Sequence, residues 1–311
     1  MTFNAAEPLR QMRRARVIAL HCSGAGASEW CHLAEALGER YEVSAPEHYG
    51  CEGAGHWTGE HAFTIADEAR RVIALVDQGE EKVHLVGHSY GGGVALSVAL
   101  ARPRRLASMT LYEPTPFHLL RKMGPPCAEA YAEITAVARR ICTGVITGDY
   151  RGAMASFVDY WNGAGAWDAM RPSLQSALLR WAPKGPLDFH ALIEDTTPAD
   201  AYRTIACPVL LVRGEHGPRP ARLIAEGMAG LLQQSRLAVV AGAGHMGPLT
   251  HAAEVSALMA RHIAEVDAKG RLPRPGRPSV LADTLAAALR PACKRQQAAP
   301  LAPDGGQGAS S

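Results

Sequence analysis
The sequence predicts an α/β protein: a mostly parallel sheet with helices on both faces and one helical insertion. Three observations carry the prediction. Short runs rich in Val, Ile and Leu alternate with longer segments of helical period, the pattern of parallel strands joined by covering helices. Within 64–77, Ile65, Ala69, Val72, Ile73 and Val76 recur at three- and four-residue steps and form one apolar stripe. The rhythm then breaks for about 90 residues between Pro114 and Ala206, several times an ordinary connection, so a further folded unit is inserted there.

Taken in order, the first apolar run, Val17-Ile18-Ala19-Leu20, gives a strand over 16–20, followed by a helix over 27–37 and a second strand over 41–45. The striped helix over 64–77 leads to a strand over 82–86, a helix over 92–101 and a strand over 106–111. Inside the insertion, 128–140 and 173–181 read as helices, and Tyr160, Trp161, Trp167, Trp181 and Phe189 supply bulky side chains for a lid over the sheet's edge. The alternation resumes with strands over 209–212 and 237–240 and helices over 221–232 and 251–264. Residues 1–114 and 207–268 are thus assigned to an α/β core and 115–206 to a helical cap. Residues 269–311, with six prolines between Pro273 and Pro303, are assigned to a Pro/Gly/Ala/Arg-rich tail expected to be disordered apart from a short helix over 280–289.

The 311 residues are 47% hydrophobic and 20% charged, a globular composition long enough to bury a core without covalent staples. A net charge of +2 is too small to make a nucleic-acid footprint the default reading. The tail's basic residues lack interleaved aromatics, so it reads as a solvated extension. Seven scattered cysteines without a Cys-x-x-Cys pair read as reduced thiols in a cytoplasmic protein. Arg13-Arg14 precedes an apolar run too short for an export signal, and no stretch reaches the length of a membrane-spanning helix. The expected partner is a small-molecule substrate, with neither nucleic acid nor membrane; the oligomeric state is not legible.

The chemistry concentrates at Gly87-His88-Ser89-Tyr90-Gly91, which follows a predicted strand and opens a predicted helix. A serine on so sharp a turn presents an exposed Oγ, and flanking glycines let helix and strand approach. Helix-terminal N–H groups beside it can hold a developing oxyanion. Ser89 is the candidate nucleophile, and a serine hydroxyl needs a base within hydrogen-bond reach. His245 fits best among thirteen histidines: it lies in a Gly-rich loop just past the last predicted strand, a setting that His216, His251 and His262 lack. The N–H of Tyr90 is one expected oxyanion donor and that of Ser23, on the loop after the first strand, the other. His21 is read as bracing that loop. The pattern from Gly24 to Glu29 lacks the third glycine of a dinucleotide fingerprint. His84 and His88, four apart on a strand and its turn, cannot share a helical face, so no metal site is expected.

With these motifs in place, the chain resembles the α/β-hydrolase superfamily, in particular capped esterases and carbon–carbon bond hydrolases, over about residues 16–264. The resemblance rests on His21-Cys22-Ser23-Gly24, Gly87-His88-Ser89-Tyr90-Gly91, the helical insertion, the strand at 209–212 and Gly244-His245. It implies hydrolysis by a Ser-His-acid triad beneath a cap, with no cofactor. The chain departs from the family at Cys22, where glycine is usual, and at the acid. The family's Gly-x-x-Asp after the strand that follows the cap reads Gly214-Glu215-His216-Gly217 here. Glu113, at the end of the strand before the cap, is favoured as the substitute over Glu215; Asp188 and Asp195 are weaker candidates because they lie in the insertion. The expected activity is cleavage of an ester, thioester, lactone or vinylogous diketone through an acyl-enzyme. The alternatives are a cofactor-free lyase of the hydroxynitrile lyase type and a catalytically weak binding protein on the same scaffold.

Overall fold
A computed structural model describes residues 14–59 and 61–269, so the expectations for 270–311, the short helix included, lie outside the described residues. Six strands form one parallel sheet in the order β2-β1-β3-β4-β5-β6. They are β1 (Ala15–Leu20), β2 (Tyr41–Ser44), β3 (Val83–His88), β4 (Leu106–Tyr112), β5 (Val209–Gly214) and β6 (Ser235–Val240). Side chains alternate across the sheet, and its two faces have different partners. Ile18, Leu20, Leu85, Met109, Leu111 and Leu211 face one buried cluster, whereas Val17, Ala19, Val86, Leu210 and Val212 face the other. The covering helices of the core are α1 (Cys31–Leu37), α2 (Ile65–Val76), α3 (Tyr90–Ala101), α9 (Arg219–Leu231) and α11 (Ala252–Lys269). Leu33 and Leu37 of α1 pack with Val255, Met259 and Ile263 of α11 on the second face; the stripe of α2 and the all-round apolar α3 belong to the first.

The single helix expected over 27–37 is a 3-10 turn, Ala27–Trp30, running into α1. A glycine precedes the turn, and Trp30 and Leu33 face the same buried cluster from either side of the junction. At α2 the Thr64 amide donates to Asp67 Oδ2 at 2.8 Å, fixing the helix start.

Between β4 and β5 the chain folds into α4 (Pro125–Ile146), α5 (Tyr150–Asn162), α6 (Ala166–Ala169), α7 (Pro172–Trp181) and α8 (Gly185–Ile193). Prolines in the first turn open α4, α7 and α8, where a missing N–H costs nothing, and Asp149 caps α5 through the Gly152 amide. Phe157, Trp181 and Phe189 pack together at the centre of the insertion. The last short helix of the core is α10 (Gly247–Thr250). Among the described residues no helix is long and apolar enough to cross a membrane, and the six described cysteines are free thiols.

The chain leaves β1 toward the edge strand β2 and returns on the other side to β3. Loops at the carboxyl ends of β1 and β3 therefore diverge and leave a crevice between them. The residues after Leu20 and after His88 lie at that crevice.

Candidate active site
Ser89 follows β3 with φ +53° and ψ −116° and is the residue from which α3 starts. The turn is tight enough that a Cβ on Gly87 would lie 2.5 Å from the Gly91 carbonyl oxygen, and one on Gly91 would lie 2.2 Å from that of Leu20. Only glycine fits at either position. Among the described residues, Ser89 and Glu113 are the two non-glycine positions with positive φ, at +53° and +39°. Backbone strain of this kind persists only where the surroundings hold it. The Ser89 amide donates to Tyr112 O at 3.0 Å and the Glu113 amide to Val212 O at 2.8 Å, which carries the ladder hydrogen bonding through both strained residues.

His245 stands on the loop after β6, positioned by its backbone: its carbonyl accepts from His88 Nε2 at 2.9 Å, and the preceding Gly244 carbonyl accepts from the Tyr112 hydroxyl at 2.7 Å. Its Nε2 lies 2.9 Å from Ser89 Oγ and its Nδ1 lies 2.7 Å from Glu113 Oε2. With Nδ1–H donating to the carboxylate, Nε2 is left to accept the serine proton. Glu113 is fully buried, and its other oxygen accepts from the Gly214 amide at 2.9 Å. The absent aspartate has a steric explanation: a Cβ on Gly217 would fall 2.0 Å from Glu113 Oε1. Glycine at 217 leaves room for the carboxylate that the longer side chain brings from β4. Burial pushes the His245 imidazolium below its ordinary range, opposed by the hydrogen bond and charge of Glu113.

The other expectations separate cleanly. Glu215 is exposed and accepts from the Gly242 amide at 2.8 Å, whereas the carboxylate bonded to His245 is that of Glu113. His216 is exposed, His251 bonds Thr250, and His262 is buried within the core. Tyr90 follows Ser89 as the first residue of α3, and Ser23 lies on the loop after β1 and lines the same cavity as Ser89. The Ser23 hydroxyl donates to Asp188 Oδ2 at 2.5 Å, and the Tyr90 hydroxyl donates to Glu68 Oε2 at 3.0 Å. His21 bridges its own loop to the next, donating from Nδ1 to Cys22 O at 2.8 Å and accepting the His48 amide on Nε2 at 3.2 Å. Burial pushes its imidazolium down to about 3, and nearby His48 adds to the effect, so the ring is neutral.

Two buried groupings were not anticipated as part of the site. Glu29, beside Trp30, accepts from His88 Nδ1 at 2.7 Å and from the Cys22 amide at 3.0 Å, joining the loop after β1 to the residue before Ser89. Cys22, Glu29 and His88 have donor atoms within 4.8 Å of one another, the one metal-like grouping among the described residues. Within it the His88 ring is bonded to the Glu29 carboxylate, which also holds the Cys22 amide. The second grouping centres on Lys184, 4% exposed, whose Nζ bonds Glu68 Oε2 at 3.0 Å, Tyr90 Oη at 3.3 Å and Asp188 Oδ1. Burial opposes its charge, but the two carboxylates hold the ammonium above its ordinary value. The insertion is thereby tied to α2, to Tyr90 and, through Asp188, to Ser23. The four-residue spacing of Lys184 and Asp188 among apolar neighbours was the available signal, since such a pair shares one helical side.

Replacing Lys184 with methionine leaves two buried carboxylates without their cation. The expected cost is about 3–5 kcal/mol, read as a lowered urea midpoint. An unfolding free energy within about 0.5 kcal/mol of wild type would show that the cluster carries no stability.

A cavity of about 610 Å³ opens between the insertion and the carboxyl ends of the strands. Ser89, His245, Ser23, Asp188, Trp161 and Leu178 are among its walls. A model of the Alpha/beta hydrolase family matches residues 17–258.

The chain belongs to this family. As an alpha/beta hydrolase it has relatives of several activities. It is 37% identical over 101 residues to Lipase LipV of Mycobacterium tuberculosis, covering 32% of this chain and 37% of that protein. It is 28% identical over 145 residues to a pimeloyl-[acyl-carrier protein] methyl ester esterase of Aeromonas hydrophila, covering 46% of this chain and 52% of the relative. The matches thus span about a third to a half of these relatives' lengths. Among solved structures, the enol-lactonase of Burkholderia xenovorans aligns with a TM-score of 0.63 at 16% identity, over 83% of this chain and 94% of that one. That likeness concerns the fold.

Proposed function
We propose that this alpha/beta hydrolase is a serine hydrolase that cleaves an ester-like bond, or a vinylogous diketone, of a small and partly hydrophobic substrate through an acyl-enzyme. The observation that carries the reading is the continuous hydrogen-bonded chain from Ser89 Oγ through His245 to buried Glu113, at 2.9 and 2.7 Å, open on its serine side to the cavity. Ser89 Oγ attacks the substrate carbonyl while His245 Nε2 takes its proton. The backbone N–H groups of Ser23 and Tyr90 hold the oxyanion, and the helix terminus at α3 adds its partial positive charge. As the tetrahedral intermediate collapses, His245 returns the proton to the leaving oxygen or carbon and the acyl group stays on Oγ. Water activated by His245 then releases the acid. Glu113 keeps Nδ1 protonated and stabilises the transient imidazolium. The insertion acts as the cap, and its Phe157, Trp161, Leu178 and Phe189 favour a substrate with apolar bulk.

A fluorophosphonate probe and a p-nitrophenyl ester test this directly. Expected are one phosphonyl adduct, mapped to Ser89 by mass spectrometry, and a burst of nitrophenol. Absence of label on folded protein would overturn the proposal, and cyanohydrin cleavage without a burst would point to the lyase.

The pH profile carries a further expected result. Burial holds the His245 imidazolium below its ordinary value of 6.5 in spite of the Glu113 carboxylate beside it. The midpoint of the acid limb of kcat/KM is accordingly expected below pH 6.5, and a midpoint above 6.5 would contradict this assignment.

A further inference from the structure
Trp161, on α5 of the insertion, lays its indole against the imidazole of His245, with ring centroids 4.0 Å apart and planes inclined by 26°. Hydrogen bonds to Glu113 and Ser89 at the two nitrogens already fix the plane of the imidazole, and any apolar side chain would keep water from its face. A flat aromatic ring adds something that an aliphatic one does not. Its face carries negative potential and attracts a cation, most strongly where both are desolvated. The hydrolytic reading requires a cation at this spot, because His245 becomes an imidazolium each time it takes the Ser89 proton.

We propose that Trp161 is a positioning residue for the base: its indole face stabilises the His245 imidazolium formed during proton transfer, so the cap sets the basicity of a histidine carried by the core. This inference rests on the serine-hydrolase reading. The charged and titratable groups around His245 come from every neighbouring element. Glu113 at the end of β4 favours the imidazolium; His88 at the end of β3, its ring centroid 5.1 Å away, opposes it; Glu29, ahead of α1, favours it from behind His88. Asp188 of α8 and Arg171, just before α7, share the cavity wall. All of these stay in place when Trp161 is changed, so a shift on substitution reads the indole itself. Loss of mere cover and loss of the π-face act in opposite directions. Letting water reach the ring relieves desolvation and raises its affinity for a proton, whereas removing the aromatic face lowers it.

The test compares wild type with Trp161→Phe, which keeps a weaker aromatic face, and Trp161→Leu, which keeps only apolar cover. The readout is the pH at half-maximal rate of fluorophosphonate labelling of Ser89. That midpoint is expected to fall in the order Trp, Phe, Leu, with Leu about half to one pH unit below wild type, and plateau labelling about 3- to 10-fold slower. Should the leucine variant fail to fold, a phenylalanine midpoint below wild type still carries the result. As a second readout, wild-type tryptophan emission is expected to drop across the same pH range, when the stacked ring protonates, and the step is expected to be absent in W161F and in H245Q. A midpoint unmoved or raised in the variants, or no emission step at the labelling midpoint, would reduce Trp161 to a wall. Absence of labelling in wild type at every pH would instead sink the hydrolase reading and this inference with it.

Discussion

Replacing Ser89 with alanine is expected to lower kcat on a p-nitrophenyl ester by about six orders of magnitude, the loss found when the nucleophile of a serine triad is removed. The residual rate comes from binding and oxyanion donors acting on a bound water, which retain roughly 10³–10⁴ over solution. The substitution deletes one oxygen at a buried position and keeps the Cβ at the strained φ, so stability should change little and the loss can be assigned to chemistry. His245→Ala should produce a comparable fall, and the double variant no further one, because the two act as a unit through a single 2.9 Å hydrogen bond. Steady-state turnover with circular dichroism as a folding control decides the matter. Activity of S89A within tenfold of wild type would place the reaction elsewhere.

The second large effect concerns the acid. Glu113→Gln is expected to reduce kcat by about 10⁴, the cost of exchanging a triad carboxylate for an amide, while Glu215→Gln should change it less than twofold, as for an exposed substitution away from the chemistry. The difference follows from what each carboxylate receives. Glu113 accepts two N–H donors, His245 Nδ1 on one oxygen and the Gly214 amide on the other, and an amide side chain has only one oxygen to offer. Either the Gly214 N–H faces an NH₂ group or the imidazole does. In the latter case His245 is driven to the tautomer that places its proton on Nε2, where it can no longer take one from Ser89. Glu215 meets a single amide at the surface, that of Gly242. Reversed sensitivities, measured as kcat at saturating ester, would assign the acid to Glu215.

The sheet was legible because its strands are buried on both faces and therefore stand out as unbroken apolar runs, as at Val17-Ile18-Ala19-Leu20. The turn at Ser89 was legible because its glycines answer a local steric demand. The insertion was read only in part: α7 and the middle of α4 were anticipated, α5 and α8 were not. In α8 the reason is physical. Asp188 is turned inward toward Lys184 and Ser23, so the usual contrast of polar outside and apolar inside is scrambled. Glu113 could be named as a candidate but not decided, since its reach to His245 depends on how far β4 lies from the loop after β6. The stacking of Trp161 on His245 joins residues whose neighbourhood exists only after the insertion has folded back over the sheet. No spacing along the chain encodes it.

The shared space at residues 113 and 217 restricts which side chains the two positions can hold together. A Gly217→Asp change arising alone would thrust a second carboxylate at the one already there, and two like charges in one dry site force one of them to take up a proton. An aspartate at 217 is thus compatible with this site only if residue 113 is shortened at the same time. Under the serine-hydrolase proposal, a pattern that looks for the acid only after the later strand would miss the carboxylate that β4 brings to His245 here.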